Sequence, residues 1–375
     1  MRRARVWVAA IFALSMVAGA GGCGSAAETT SAAATGETGG APVAEVPEIA
    51  DDADRMLPPE QVIAVERASF PMTLENCGYS VTFTEPPNRV VAIKSPPVEM
   101  LLALGVGDRL VGVAGLDGPL PDWLTDAAAG STAAAVVSNP MTTGVPGTEA
   151  VIALDPDLVF AGWESNLTPN GAGARELFSS LDVNTLVSPS ACRSQWNTRT
   201  DGILSGGLSN ALTFSDIWSE IAIVGTIFDV PDAAETLIEN QQDTLTTIIK
   251  DDRGLTALWW SSAKDIPYVG AGLGAPQLIM DSVGLTNIAG DIEDTWTAMS
   301  WEQVIAADPD VIILVDAQWN TADSKRGYLE TNPATSQLTA VRNSNYLTVP
   351  FPASEAGVRT VSAITDLAAQ LTEIQ

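Results

Sequence analysis

Three features of the 375-residue sequence predict an α/β fold of two related three-layer lobes joined by a long helical connector. The first is a duplicated segment. Thr148-Glu149-Ala-Val-Ile-Ala-Leu-Asp155-Pro156-Asp157-Leu-Val-Phe160 reappears as Trp301-Glu302-Gln-Val-Ile-Ala-Ala-Asp308-Pro309-Asp310-Val-Ile-Ile313, with Glu149 and Glu302 lying 153 positions apart. The second is a matched set of apolar, strand-like runs: Arg89 to Ile93 and Thr256 to Trp260 open the two halves, and Leu181 to Val187 and Ser344 to Pro350 close them. The third lies between the halves, where Phe214, Ile217, Trp218, Ile221, Val224 and Phe228 recur at helical spacing. A further helical pattern runs from Ala233 to Lys250 after Pro231.

The N-terminus sets the compartment. Arg2, Arg3 and Arg5 precede an apolar run from Val6 to Ala18, which reads as a secretion signal too short to span a bilayer as a stable helix. It ends at Ala20-Gly21-Gly22-Cys23, which resembles the bacterial lipobox with Ala20 where leucine is usual. That resemblance implies cleavage before Cys23 and lipidation of its thiol; an ordinary signal cut after Ala20 would leave Cys23 incidental. The segment from Gly24 to Pro47 is almost all Ala, Gly, Ser, Thr and Glu, a composition that cannot bury a core and behaves as a tether. A tether implies an anchor. The expected layout is therefore a signal over 1–22, a tether over 23–68, a first lobe over 69–213, a connector over 214–250 and a second lobe over 251–375. The expected address is the outer face of the cell membrane.

Each duplicated segment opens on a short helix, breaks it at Pro after Asp, and continues as a β-branched run suited to a buried strand. Two such lobes facing one another place the loops at the carboxyl ends of their strands around a cleft. A helical connector resists the wide opening that extended hinge strands permit.

Composition excludes several chemistries. The chain carries 18 basic and 46 acidic residues, a net charge of −28. Loss of the signal removes three arginines and no acids, which moves the balance to −31. Nucleic acid and anionic lipid surfaces are repelled by such a body. Histidine is absent, which removes Ser-His-Asp and Cys-His catalysis, histidine-ligated haem and nearly all zinc enzymes. No metal site or cofactor is expected. After Cys23, only Cys77 and Cys192 remain; an even pair in an exported protein reads as a disulfide, with a free buried pair as the alternative.

Several strings together resemble the helix-linked (class III) periplasmic binding proteins that serve iron-siderophore and cobalamin importers. They are Arg89-Val-Val-Ala-Ile93, Glu99-Met-Leu-Leu-Ala-Leu-Gly105, the two Glu to Asp-Pro-Asp units, Gly284-Leu-Thr-Asn287-Ile, and Gly357-Val-Arg359 before a final helix. The resemblance covers Leu74 to Leu371. It implies a monomeric receptor that captures a small molecule, performs no catalysis, and docks on an ABC permease dimer through Glu149 and Glu302, one acid per lobe. Two equivalent charges suit a two-fold partner; acids that merely favour helix N-termini are the alternative.

A narrower resemblance is to the actinobacterial substrate-binding lipoproteins assigned to the coenzyme F-420 precursor, a deazaflavin phospholactate. It rests on Leu74-Glu-Asn-Cys77-Gly, Ala161-Gly-Trp163-Glu164-Ser-Asn166, Ser188-Pro-Ser-Ala-Cys192, Tyr268-Val-Gly-Ala-Gly272-Leu-Gly-Ala-Pro-Gln277, Asp294-Thr-Trp296 and Pro350-Phe-Pro-Ala-Ser-Glu355-Ala-Gly-Val-Arg359. The implied ligand is small, anionic and conjugated. A ferric siderophore or corrinoid is the same-class alternative, and an extracellular carboxylate-dependent hydrolase is the remote one.

Candidate cleft residues follow from position. Ten tryptophans accompany four tyrosines, and Trp163, Trp260, Trp296 and Trp319 fall at predicted strand ends, where aromatic faces would stack on a planar ligand. Trp218 sits on the connector's apolar stripe and reads as core. Trp259 and Trp260 alternate in one strand, so only one can face the cleft. Glu164 and Tyr268 join the set from the resemblance. Lys94, after the first strand, and Arg359, matching the family's cleft arginine, are the cations expected to meet an anion; a solvated strand-end lysine is the alternative for Lys94. Gly270-Ala-Gly272-Leu-Gly274 is either a cradle of backbone N–H groups or a turn needing permissive angles.

Overall fold

The computed structural model describes residues 65–193 and 211–374. The expected signal, Cys23, the tether as far as residue 64, residues 194–210 and Gln375 lie outside the described residues.

An antiparallel hairpin of β1 (Met72–Asn76) and β2 (Tyr79–Phe83) precedes the first lobe. That lobe has a parallel sheet of β3 (Val90–Ile93), β4 (Leu110–Ala114), β5 (Leu158–Ala161) and β6 (Asn184–Val187), in the order β4-β3-β5-β6. Its helices are α1 (Ser95–Ala103), α2 (Asp122–Ala128), α3 (Thr132–Ser138), α4 (Thr148–Ile152) and α5 (Arg175–Ser180). The connector is a pair of helices, α6 (Phe214–Ile227) and α7 (Pro231–Thr246).

The second lobe has β7 (Thr256–Ser262), β8 (Tyr268–Gly270), β9 (Thr286–Asn287), β10 (Trp296–Ala298), β11 (Val311–Asp316) and β12 (Tyr346–Pro350). Its strand order is β10-β8-β7-β11-β12, with β9 beside β7. β7, β11 and β12 are parallel, and β8 runs antiparallel to its neighbours β7 and β10. Its helices are α8 (Ala275–Val283), α9 (Trp301–Ala307), α10 (Ala322–Thr331), α11 (Thr339–Arg342) and α12 (Thr360–Leu371).

The duplication holds at the level of single atoms. Asp155 and Asp308 both follow their helix in the left-handed region, at φ 49° and 42°, a conformation aspartate tolerates better than most residues. Pro156 and Pro309 follow and prevent the helix from continuing. The second aspartate then has the same task in both lobes. Asp157 accepts the N–H groups of Asn88 and Arg89 at 2.8 and 2.9 Å; Asp310 accepts the N–H and hydroxyl of Thr256 at 2.9 and 2.8 Å. Each thereby fixes the start of the neighbouring parallel strand.

Strand residues are buried on both faces, as helix-covered parallel sheets require. Val90 and Ala92 face a central apolar cluster while Val91 and Ile93 face an outer one. In the second lobe Ala257 and Trp259 face the central cluster, and Leu258 and Trp260 the opposite layer. The central cluster is continuous from Phe160 and Leu186 through Trp218 and Ile221 of α6 to Ile313 and Leu347. Trp218 is core, as its place on the stripe predicts: it stacks on Phe214 at 5.6 Å. Its indole N–H donates to Gln241 at 3.1 Å, and the Gln241 amide donates to the Val358 carbonyl at 3.2 Å. This chain ties α6, α7 and the approach to α12 together.

The two connector helices meet at Gly225, where an added Cβ would lie 2.4 Å from the Ala234 Cβ. Gly225→Leu is expected to force α6 from α7 and lower stability by about 1–3 kcal/mol, through overpacking of a close helix contact. A urea midpoint equal to that of the parent would show that the crossing is looser than this.

Candidate functional site

A cavity enclosing about 510 Å³, including its solvent-open part, lies between the lobes at the carboxyl ends of their strands. From the first lobe, Pro96, Gly162, Trp163, Ser188, Ser190 and Ala191 form one wall. From the second, Leu273, Gly274, Ala275, Thr295, Trp296, Ser354, Glu355 and Ala356 form the other, with Leu212 beside them. Trp163 and Trp296 thus contribute aromatic surface from opposite lobes.

The first wall is held from behind. Asn76 pairs with Val187 at the end of β6 through its side-chain amide, donating to the carbonyl and accepting from the N–H at 2.8 Å each. The buried Arg175 guanidinium donates to the Asn76 and Thr185 oxygens and lies 4.2 Å from the centre of the Tyr79 ring. Desolvation lowers its pKa to about 10. Cys77 is disulfide-bonded to Cys192, with Cα atoms 5.3 Å apart. Glu220 of α6, fully buried and held above the usual carboxyl range by desolvation, accepts the Ser190 N–H at 3.1 Å. The hairpin, the disulfide and the connector therefore secure the segment Ser188 to Cys192.

Two ion pairs lie beside the cavity, and one of them crosses the seam. Lys94 ends β3 at φ 82°, a region costly for a side-chain-bearing residue, and its ammonium donates to Asp117 at 2.7 Å. Arg359, at the start of α12, donates to Glu99 of α1 at 3.1 Å, and both are over nine-tenths buried. Burial pushes the Glu99 carboxyl up to about 7 against the opposing pull of Arg359. Glu355 is 6 % exposed, lines the cavity, and is raised well above the carboxyl range by desolvation, with Asp117 adding to the rise. Its Oε2 atom is buried without a hydrogen-bond partner.

Of the eight expected cleft residues, Trp163 and Trp296 line the cavity. Tyr268 stacks on Trp296 at 6.2 Å and backs it. Trp260 is a correction: it is fully buried, packed on Trp301 and Tyr328, and its N–H donates to the Ser262 and Ala263 carbonyls. Trp259 is equally buried. Neither of the alternating pair faces the cleft, because the cleft opens at strand ends and not on a sheet face. Trp319 is 62 % exposed and meets Phe351 edge-on at 5.7 Å, away from the cavity wall. Glu164 is half-buried near Arg175 and Tyr79, behind the wall.

Lys94 and Arg359, the cations expected to meet an anionic solute, are each paired with a carboxylate, and neither is in the cavity wall. Of the two readings of the glycine-rich segment, the structure disfavours the cradle: the N–H groups of Ala271, Gly272 and Leu273 donate to the carbonyls of Thr295, Ile292 and Asp294. Glu149 and Glu302 are exposed in the first turns of α4 and α9.

Sequence reasoning singled out neither Glu99 nor Glu355 as a site residue. The available signal was an acid inside an apolar helix, Glu99-Met-Leu-Leu, and another among small residues, Ala353-Ser-Glu355-Ala.

Residues 90–353 match the periplasmic binding protein family. The chain is 23% identical to an uncharacterized ABC transporter substrate-binding lipoprotein of Bacillus subtilis, over 98% of this chain and 96% of that one. It is 26% identical to a cobalamin-binding protein of Halobacterium salinarum, over 79% and 74%. Among solved structures it is similar to an ABC-type Fe3+-hydroxamate transport protein of Saccharomonospora viridis, with 26% identity, a TM-score of 0.64, and coverage of 81% and 99%.

Glu99 gives the fold a definite pH dependence. The folded chain holds a proton on this carboxyl up to about pH 7, whereas the unfolded chain releases it near 4.5. Folding stability from this group is therefore greatest below pH 4.5 and declines as pH rises towards 7. Glu99→Gln is expected to remove that slope, so that the stability curves of the two proteins diverge by about 3 kcal/mol across the window. Urea titrations at a series of pH values check this; parallel curves refute it.

Proposed function

Because the chain belongs to the periplasmic binding protein family, we propose that it is the extracytoplasmic receptor of an ABC importer and holds a small conjugated solute between Trp163 and Trp296. The observation that carries this reading is the interlobe cavity with one aromatic wall from each lobe. Aromatic rings favour flat, polarisable partners in stacked or edge-on geometry. In this reading residues 1–22 are the signal, Cys23 carries the lipid, residues 23–68 form the tether, and the monomeric body spans lobes 69–213 and 251–375 around the connector 214–250. The tether holds the receptor close to its permease.

The coenzyme F-420 precursor is the proposed solute, supported by the strings around Trp163, Ser188, Gly272, Trp296 and Glu355, all at or beside the cavity. Its anionic arm would have to draw Lys94 or Arg359 from its present carboxylate partner. A ferric siderophore or corrinoid is the second reading, favoured by the Fe3+-hydroxamate and cobalamin-binding relatives. Mass spectrometry of small molecules co-purifying from the native host separates the two. Glu149 and Glu302 are the proposed docking acids, supported by their equivalent positions in the repeat and their exposure.

Trp163→Ala and Trp296→Ala are each expected to weaken solute binding by several-fold to tenfold, as loss of a stacked face does. Trp319→Ala should leave binding unchanged. Tryptophan quenching titrations with the deazaflavin precursor, cyanocobalamin and a ferric hydroxamate measure this, and equal affinities in all three variants exclude the aromatic clamp.

Charge reversal at both Glu149 and Glu302 is expected to leave the dissociation constant intact and abolish uptake of labelled solute by whole cells. Undiminished uptake rules out the docking role.

A further inference from the structure

Glu355 follows the turn Phe351–Ser354 at the end of β12 and reaches the cavity from the second lobe. Trp163, on the first lobe, lines the same cavity beside its carboxyl, while Oε2 is buried without a hydrogen-bond partner. The surrounding charges come from four other elements: Lys94 at the end of β3, Asp117 after β4, Glu99 on α1 and Arg359 at α12. The two cations are already committed, Lys94 to Asp117 and Arg359 to Glu99. Glu355 is thus the surplus acid of the group, desolvated and beside two other carboxyls.

A carboxylate there would be a buried charge with no cation of its own, which is the costlier form. The neutral acid satisfies the geometry better. Protonated at Oε2, it presents a hydroxyl donor that has no acceptor among the described residues. Leaving a buried donor unmade is unfavourable, so a solute that supplies the acceptor is selected by the gap it fills.

We propose that Glu355 is the specificity-determining residue of the cleft, offering its Oε2 hydroxyl to a hydrogen-bond acceptor on the solute, a carbonyl, ring nitrogen or oxyanion oxygen. The inference rests on the receptor reading above and narrows it to acceptor-bearing solutes. It also links binding to protons. An acceptor stabilises the protonated acid, so affinity declines as pH rises through the titration of Glu355. A solute that placed an ammonium group there would strip the proton and show the opposite trend.

The test is infrared difference spectroscopy of the full-length protein, wild type minus Glu355→Gln, with and without the deazaflavin precursor, cyanocobalamin or a ferric hydroxamate. The subtraction removes the signals of the other buried acids, Glu99 and Glu220. A protonated-carboxyl band at neutral pH that shifts to lower frequency when a probe binds is the expected result. Glu355→Gln, which keeps a donor, should retain affinity within about threefold, while Glu355→Met should bind about tenfold more weakly.

Absence of the band overturns the proposal. So does a band that stays put while tryptophan quenching reports a bound probe, equal affinity in Glu355→Met, or affinity that strengthens with pH. Failure of every probe to quench would sink the receptor reading instead, which keeps the two failures distinct.

Discussion

The continuous apolar cluster through α6 and α7 is the constraint from which the rest of the molecule takes its positions. Each sheet buries both faces, but only one face of each belongs to this shared cluster, with Phe160 and Leu186 on one side and Trp259 and Ile313 on the other. Packing of this kind is close to crystalline in density and resists compression. The lobes are therefore held at a set separation, and the gap left at their strand ends is the cavity. A hinge of extended strands would leave that gap undefined.

Rigidity alone would not keep the cavity walls in place, because its lining is made of loops. The first wall resolves this with side chains drawn from elsewhere: Asn76 and Arg175 fasten the end of β6, the Cys77 to Cys192 bond closes the next turn, and Glu220 reaches from the connector to Ser190. All these groups are polar or covalent links beneath an otherwise apolar lining. Such fastening places Trp163 and Ser188 opposite Trp296 without spending the cavity's own surface on structure.

The seam between the lobes buries charge beside the cavity. Arg359 with Glu99 is buried across it, where removal of either partner leaves a charge more costly than the pair itself, and the part-buried pair of Lys94 with Asp117 lies alongside in the first lobe. Glu355 is the fifth and has no counter-charge left for it. The strained backbone of Lys94 belongs to the same layer. Strain and surplus acidity meet beside the cavity, consistent with a surface shaped for a guest and not for stability.

The sequence by itself determined the architecture. Repetition of Glu to Asp-Pro-Asp, β-branched runs and a helical apolar stripe are local patterns, and each maps to the same local structure in both halves, down to the left-handed Asp155 and Asp308. The pairing of Cys77 with Cys192 was legible because no other partner remained. Only the tertiary structure decided the site. The carboxylate partners of Lys94 and Arg359 were not legible because Asp117 lies 23 residues from the first and Glu99 lies 260 residues from the second. Trp260 looked like a cleft residue because alternation states which face a side chain takes but not that both faces are covered. Glu355 had no visible signal beyond being an acid among small residues, since its importance comes from partners it lacks. Burial and pairing across hundreds of residues are properties of packing, and no spacing rule along the chain encodes them.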